Sequence, residues 1–129
     1  MATGLPAVTG DVLTAATFNG LITFTIGVAN TADYTAVLSD QYQVLELMNK
    51  ATAIAFKIPT DASVAFPIGT AITVLNIGAG VCTISAVTSG TTTVLSAGAT
   101  AAAPTLTQYK TAVCIKTAAN TWYVVGGIA

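Results

Sequence analysis

The sequence has no histidine, two cysteines, four prolines and very little charge of either sign. The missing histidine removes the commonest metal ligand and the commonest general base together, so triads built on imidazole are excluded. Two cysteines are too few for a thiolate-only zinc site, which needs about four, and too few for the disulfide framework of a small secreted domain. Four basic residues, all lysine, and five acidic ones give a net charge of −1. Charges so few and so scattered cannot form a phosphate-binding stripe, which argues against nucleic acid as a direct partner. Long apolar runs are missing as well. Thr, Ser, Asn or Gly interrupts each of them before the roughly 18 residues that a spanning helix needs. The first residues lack the basic start and apolar centre of a secretion signal, so the chain is expected to be soluble, unexported and free of membrane.

What is present is apolar and neutral. Hydrophobic residues make up 53% of the 129 and charged ones 7%, against about 25% charged in an ordinary soluble domain. The length suits one domain with a modest core. A small domain with so few surface charges tends to associate with itself, so composition points to an oligomer or to a chain docked on a larger assembly.

Along the chain, residues 1–31 read as an N-terminal arm and 32–129 as an all-β domain. Gly4, Pro6 and Gly10 disfavour regular structure at the start. Thr14 can cap a short helix over 15–22, with Phe18, Leu21 and Ile22 on one face at i, i+3, i+4 spacing. Beyond the boundary the period becomes two: Ile54, Phe56 and Ile58 alternate with Ala53, Ala55 and Lys57, as a half-buried strand requires. Similar runs cover 34–38, 44–48, 71–77, 81–86, 112–117 and 122–126, with turn signals at 58–63, 77–80, 88–90 and 117–120. Runs 71–77 and 81–86 read as a hairpin, with Gly78 and Gly80 supplying the positive φ of a tight loop. Residues 109–117 and 122–126 read as a second. The Ala/Thr/Ser/Gly-rich stretch 86–107 is expected to hold one weak strand near 93–96. Short strands at this spacing predict an antiparallel, jelly-roll-like β-sandwich preceded by the arm and its short helix.

Candidates for chemistry are few. Two carboxylates suffice for glycoside hydrolysis, and Asp33, Asp40, Glu46 and Asp61 are the choices in the folded part. Asp33, Asp40 and Asp61 adjoin turn residues, where carboxylates bond local backbone, and Glu46 between Leu45 and Leu47 reads as outward. "GAGVCT" at 78–83 lacks the third glycine of a dinucleotide loop and leads into a strand, not a helix. Lys50, Lys57, Lys110 and Lys116 read as solvated or edge-blunting charges. Trp122 and Tyr123 read as core and rim, with sugar stacking as the other use of such a pair. Cys82 and Cys114 sit in apolar strand-like runs, as reduced small hydrophobes or as a bridged pair. No catalytic residue, cofactor or metal is expected.

The segments "YTAVLSD" (34–40), "VLELMN" (44–49), "IAFKIPTDASVAFPIGTAITVLNIGAGVCTISA" (54–86) and "KTAANTWYVVGGI" (116–128) together resemble a small β module of bacteriophage fibre, tailspike and capsid-surface proteins. The start, "GDVLTAATFNGLI" (10–22), looks like the lead-in of phage virion proteins. The resemblance implies a trimerising β-sandwich displayed on a virion, assembled in the bacterial cytoplasm. A short arm with one module, and no shaft or enzyme domain, fits a homotrimeric capsid decoration (cement) protein that reinforces the outer head surface and helps host adhesion. The partners expected are its own copies, the major capsid protein and a host surface glycan or protein. The apolar arm residues Leu5, Pro6, Val8, Phe18, Leu21 and Ile22 would contact the capsid. A short tail fibre or tailspike-like receptor-binding module is the alternative.

Overall fold

The structure, a computed structural model, describes Ala15, residues 23–96 and residues 103–128. Ten strands run in chain order: β1 Thr25–Ile26, β2 Tyr34–Thr35, β3 Val44–Met48, β4 Ile54–Ile58, β5 Ala71–Asn76, β6 Cys82–Ala86, β7 Thr93–Leu95, β8 Thr105–Leu106, β9 Thr111–Ala118 and β10 Thr121–Gly126. A 3-10 turn spans Leu38–Gln41. The strands form a six-stranded sheet ordered β1-β3-β5-β9-β10-β7 and a four-stranded sheet ordered β2-β4-β6-β8. The predicted helix over 15–22 lies, Ala15 apart, outside the described residues. The ladder of the larger sheet begins at Thr25, which pairs with Val44.

The chain is all-β, as its period-two pattern requires, but the sheets are mixed and not the antiparallel sandwich expected. β1, β3 and β5 pair in parallel in one sheet, and β2, β4 and β6 in parallel in the other. Over these six strands the chain alternates strictly between the sheets. Parallel neighbours need a crossover, and here each crossover is itself a strand of the opposite sheet. The last part is antiparallel at β5/β9, β9/β10 and β6/β8, while β7 joins β10 in parallel.

This winding replaces the hairpin expected over 71–86, because β5 and β6 lie in different sheets. Neither Gly78 nor Gly80 takes a positive φ. Their need for glycine comes from stacking: the arch 77–81 lies directly on the arch 49–53, and a Cβ would collide with the Lys50 backbone at Gly78 and with Thr52 O at Gly80. The ladder continues around the corner through Gly78 N to Met48 O (3.2 Å), Gly80 N to Lys50 O (2.8 Å) and Ile54 N to Val81 O (3.1 Å). The hairpin expected near the C-terminus is present as β9/β10, closed through Asn120 at φ 49°, and the weak strand near 93–96 is β7.

The inner faces of the two sheets share one core. Ile54, Phe56, Ile58, Cys82, Ile84 and Leu106 come from the smaller sheet, and Met48, Ile72, Val74, Val94, Cys114, Trp122 and Val124 from the larger. Phe66, in the loop between β4 and β5, meets the Trp122 ring edge-on at 5.5 Å and 89°. Fully burying side chains of this size contributes about 1.5 to 3 kcal/mol each. Asn76 is a fully buried polar residue here: its amide donates to Gly80 O and Leu106 O, both at 2.8 Å, and its Oδ1 accepts from Gly78 N at 3.1 Å. Every polar atom of that side chain is thus matched, as burial demands.

Candidate functional site

The charged residues of the larger sheet lie on the side opposite to expectation. Glu46 on β3 is buried at 3% exposure, and its neighbours Leu45 and Leu47 face outward. Lys116 on β9, expected to be solvated, is also 3% exposed. The alternation was read correctly as period two but with its faces exchanged. Polar residues mark the solvent side only when that side is wet.

Lys116 is partnered, whereas Glu46 keeps one buried carboxyl oxygen, Oε2, without a partner. Lys116 Nζ donates to Asp61 Oδ1 at 2.7 Å and to Phe66 O at 2.6 Å. Asp61 Oδ2 accepts from Asn120 N, and Asn120 Oδ1 accepts from Asp61 N, both at 2.9 Å. Burial alone would raise the Asp61 carboxyl, but the hydrogen bonds from Lys116 and from the Asn120 backbone hold it below its ordinary value. The loop 59–70 is thereby fastened to the β9/β10 hairpin.

Glu46 stands against Asp40 of the 3-10 turn. Asp40 Oδ2 accepts from Tyr34 OH at 2.7 Å and from Val37 N at 2.9 Å. Burial first, then the hydrogen bond and charge of Asp40, push Glu46 up to about 8, so Glu46 keeps its proton near neutral pH. Burial and the bond to Asp40 also raise Tyr34. Two carboxyls in hydrogen-bond contact leave no space for a sugar between them, whereas glycosidase pairs stand about 5 Å or more apart. This pair does not have that geometry; it clamps the turn to β3. Asp33 Oδ1 accepts from Ala55 N at 2.9 Å, tying the start of β2 to β4.

The other residues singled out are structural. Trp122 is fully buried and Tyr123 faces out on the opposite side of β10, so they form no common stacking platform. Cys82 and Cys114 are free and buried, and burial pushes their thiols up to about 11 and about 12. Among the described residues no group of three or more His, Cys, Asp or Glu could hold a metal, and no helix is long and apolar enough to cross a membrane.

The outer faces of the two sheets differ in kind. Across the larger sheet, cross-strand register sets Ile26, Leu45, Thr73, Val113 and Val125 in one row. Ala71, Ile115, Tyr123 and Leu95 form a second, and Leu47, Leu75 and Thr111 a third. No residue in these rows carries a charge. Ile26 is 64% exposed, Val125 48% and Tyr123 44%. Across the smaller sheet the rows are Thr35-Lys57-Ser85 and Ala55-Thr83-Thr105, small and polar, with Asp33 Oδ2 4.0 Å from Lys57 Nζ at their margin. A sheet apolar on both faces is built to be covered on both. That outer face is the candidate functional surface, and sequence reading missed it by turning Glu46 outward, which set Leu45 and Leu47 inward; Lys116, read as solvated, misled in the same way.

The arm residues Leu5, Pro6, Val8, Phe18, Leu21 and Ile22 lie outside the described residues. No protein-family model matches the chain, and comparison with curated proteins and with solved structures finds no match.

Proposed function

We propose that the chain is a structural protein of a bacteriophage virion: a homotrimeric capsid decoration, or cement, protein that reinforces the outer head surface. The observation that carries this reading is the charge-free outer face of the six-stranded sheet, set against the polar outer face of its partner sheet. Such a face associates to leave water. A second copy suits it because two neutral apolar faces meet without like-charge repulsion or buried unpaired charge. The polar sheet then remains free to face solvent, as a displayed oligomer needs. In this reading the segment before β1, residues 1–22, attaches the domain, with Leu5, Pro6, Val8, Phe18, Leu21 and Ile22 set against the major capsid protein. Even a few such anchors contribute several kcal/mol at about 25 cal/mol per Å² buried, before ordering costs.

Gold-labelled antibody on intact virions tests location. Label over the whole head supports decoration, and label confined to the tail supports the fibre alternative. Light scattering on the purified protein should give a mass near three chains, and removal of residues 1–22 should leave the protein trimeric while abolishing capsid binding. A truncated chain that still binds capsids refutes the attachment role of the arm.

A further inference from the structure

Where the 3-10 turn leads into β3, an open groove of about 590 Å³ is walled by Gln41, Tyr42 and Gln43 on one side and by Pro67, Ile68, Gly69, Thr70 and Ala71 on the other. The space falls within the range of small-ligand sites, about 300 to 1,000 Å³. The geometry points to a binding site for a neutral saccharide in this groove.

Both walls are fixed before any ligand arrives. Gln43 is held at φ 56°, a conformation that non-glycine residues seldom adopt, and its carbonyl accepts from Thr25 N at 2.8 Å. Tyr42 N donates to Ser39 O at 3.2 Å. On the facing wall Gly69, at φ 95°, donates its N–H to Lys116 O at 2.7 Å, and Thr70 donates from both N and Oγ1 to Pro67 O at 3.1 and 2.7 Å. Phe66 anchors that turn in the core against Trp122. A preorganised wall spares the ordering cost of binding.

The lining decides the ligand class. It contains no Lys, Asp or Glu, so nothing in it would neutralise a phosphate, a sulfate or a charged peptide. An extended peptide docks by pairing with free backbone, and the N–H groups of Tyr42, Gly69 and Thr70 are already used. What remains is the combination a sugar ring needs. The Gln41 amide and the Tyr42 phenol can donate to and accept from hydroxyls. The Tyr42 ring and the Pro67 and Ile68 side chains offer apolar surface to ring C–H faces. Ala71 belongs both to this groove and to the apolar rows, so the groove opens at their rim. The inference stands on the groove alone and does not depend on where the protein is displayed.

The test is a titration of the isotopically labelled full chain with uncharged oligosaccharides of glucose, galactose, mannose, rhamnose and N-acetylhexosamines, followed by backbone amide shifts. At least one sugar is expected to bind at millimolar concentration or better, with shifts concentrated at 41–43 and 67–71. Gln41→Ala and Ile68→Arg, both outside the core, should each weaken that binding about tenfold, the loss of roughly one hydrogen bond or one apolar contact, without changing the melting temperature or the mass in solution. No binding across this set, shifts mapping elsewhere, tighter binding of sialylated or phosphorylated glycans, or variants that bind normally would each overturn the proposal. So would a change in solution mass in Ile68→Arg together with unaltered sugar affinity, which would assign the groove to a second copy.

Discussion

The ammonium of Lys116 and the carboxylate of Asp61 meet at 2.7 Å across 55 residues of chain, and their exposure is unequal: 4% for the lysine side chain and 27% for the aspartate. Removing either partner leaves the other in a different environment. Asp61→Ala strands an ammonium with only Phe66 O to bind, whereas Lys116→Ala leaves a carboxylate that still accepts from Asn120 N and reaches water. Breaking a buried pair costs about 3 to 5 kcal/mol, and partial exposure lowers that figure. Asp61→Ala should therefore destabilise by about 3 kcal/mol and Lys116→Ala by less, read as shifts in the urea midpoint at constant slope. Equal losses would contradict the assignment of Lys116 to the interior.

Glu46 gives stability a pH dependence. Its native carboxyl, pushed up to about 8 from an ordinary 4.5, keeps a proton that the unfolded chain has already released. The contribution is complete below about pH 4.5 and is lost as pH rises towards 8, with a slope of at most about 1.4 kcal/mol per pH unit for one proton. Asp61 works in the other direction: its lowered carboxyl stabilises at neutral pH and loses that effect on strong acidification. Urea midpoints measured from pH 5 to pH 9 should decline for the native chain. In Glu46→Gln, which retains a donor for Asp40, the decline should flatten.

Val125 and Tyr123 stand outward on β10, beside Val113 and Ile115 of β9. A charge introduced there would be buried unpaired when copies associate. If copies associate through this face as proposed, Val125→Glu should give a monomer in sedimentation velocity while leaving the far-ultraviolet circular dichroism of the domain intact. An unchanged oligomer would place the interface elsewhere.

The arches of the winding make a steric prediction. Gly78→Ala and Gly80→Ala thrust a methyl group into the backbone of 50–52, which cannot yield as a side chain end can. Each should cost about 2 to 3 kcal/mol. Gly90 has open space around the same atom, so Gly90→Ala should be neutral or add a few tenths of a kcal/mol through the unfolded chain. Thermal melts of the three variants make the comparison.

Much of this architecture was legible in the sequence. The alternation at 44–48 and 54–58 marks β3 and β4 to the residue, and the Asn120 turn marks β9/β10. Alternation records which side of a strand is buried, not which strand lies beside it. Two strands five residues apart can fold back as a hairpin or arch over into a second sheet, and "IGAG" is compatible with both. Glycine there was read as torsional freedom when the requirement was room for a neighbouring arch. The larger sheet misled for a related reason: with apolar residues on both sides, polarity no longer says which side is inward, and only the partners of Glu46 and Lys116 reveal it. The groove was hidden because its two walls, 41–43 and 67–71, are separated by β3, β4 and a long loop.

The winding also says where this domain can vary. Thr25 stands beside Val44, 19 residues on, while Leu45 stands beside Thr73, 28 residues on, yet both steps advance the sheet by one strand. The longer step carries the loop 59–70, which supplies Phe66 to the core and Pro67 to Thr70 to the groove wall. Residues added or removed at the exposed Ala62 and Ser63 would lengthen or shorten the excursion without shifting any ladder. One turn of the chain is thus held to a fixed pitch while its circumference is free, so binding preference could diverge among related modules whose strand registers stay the same.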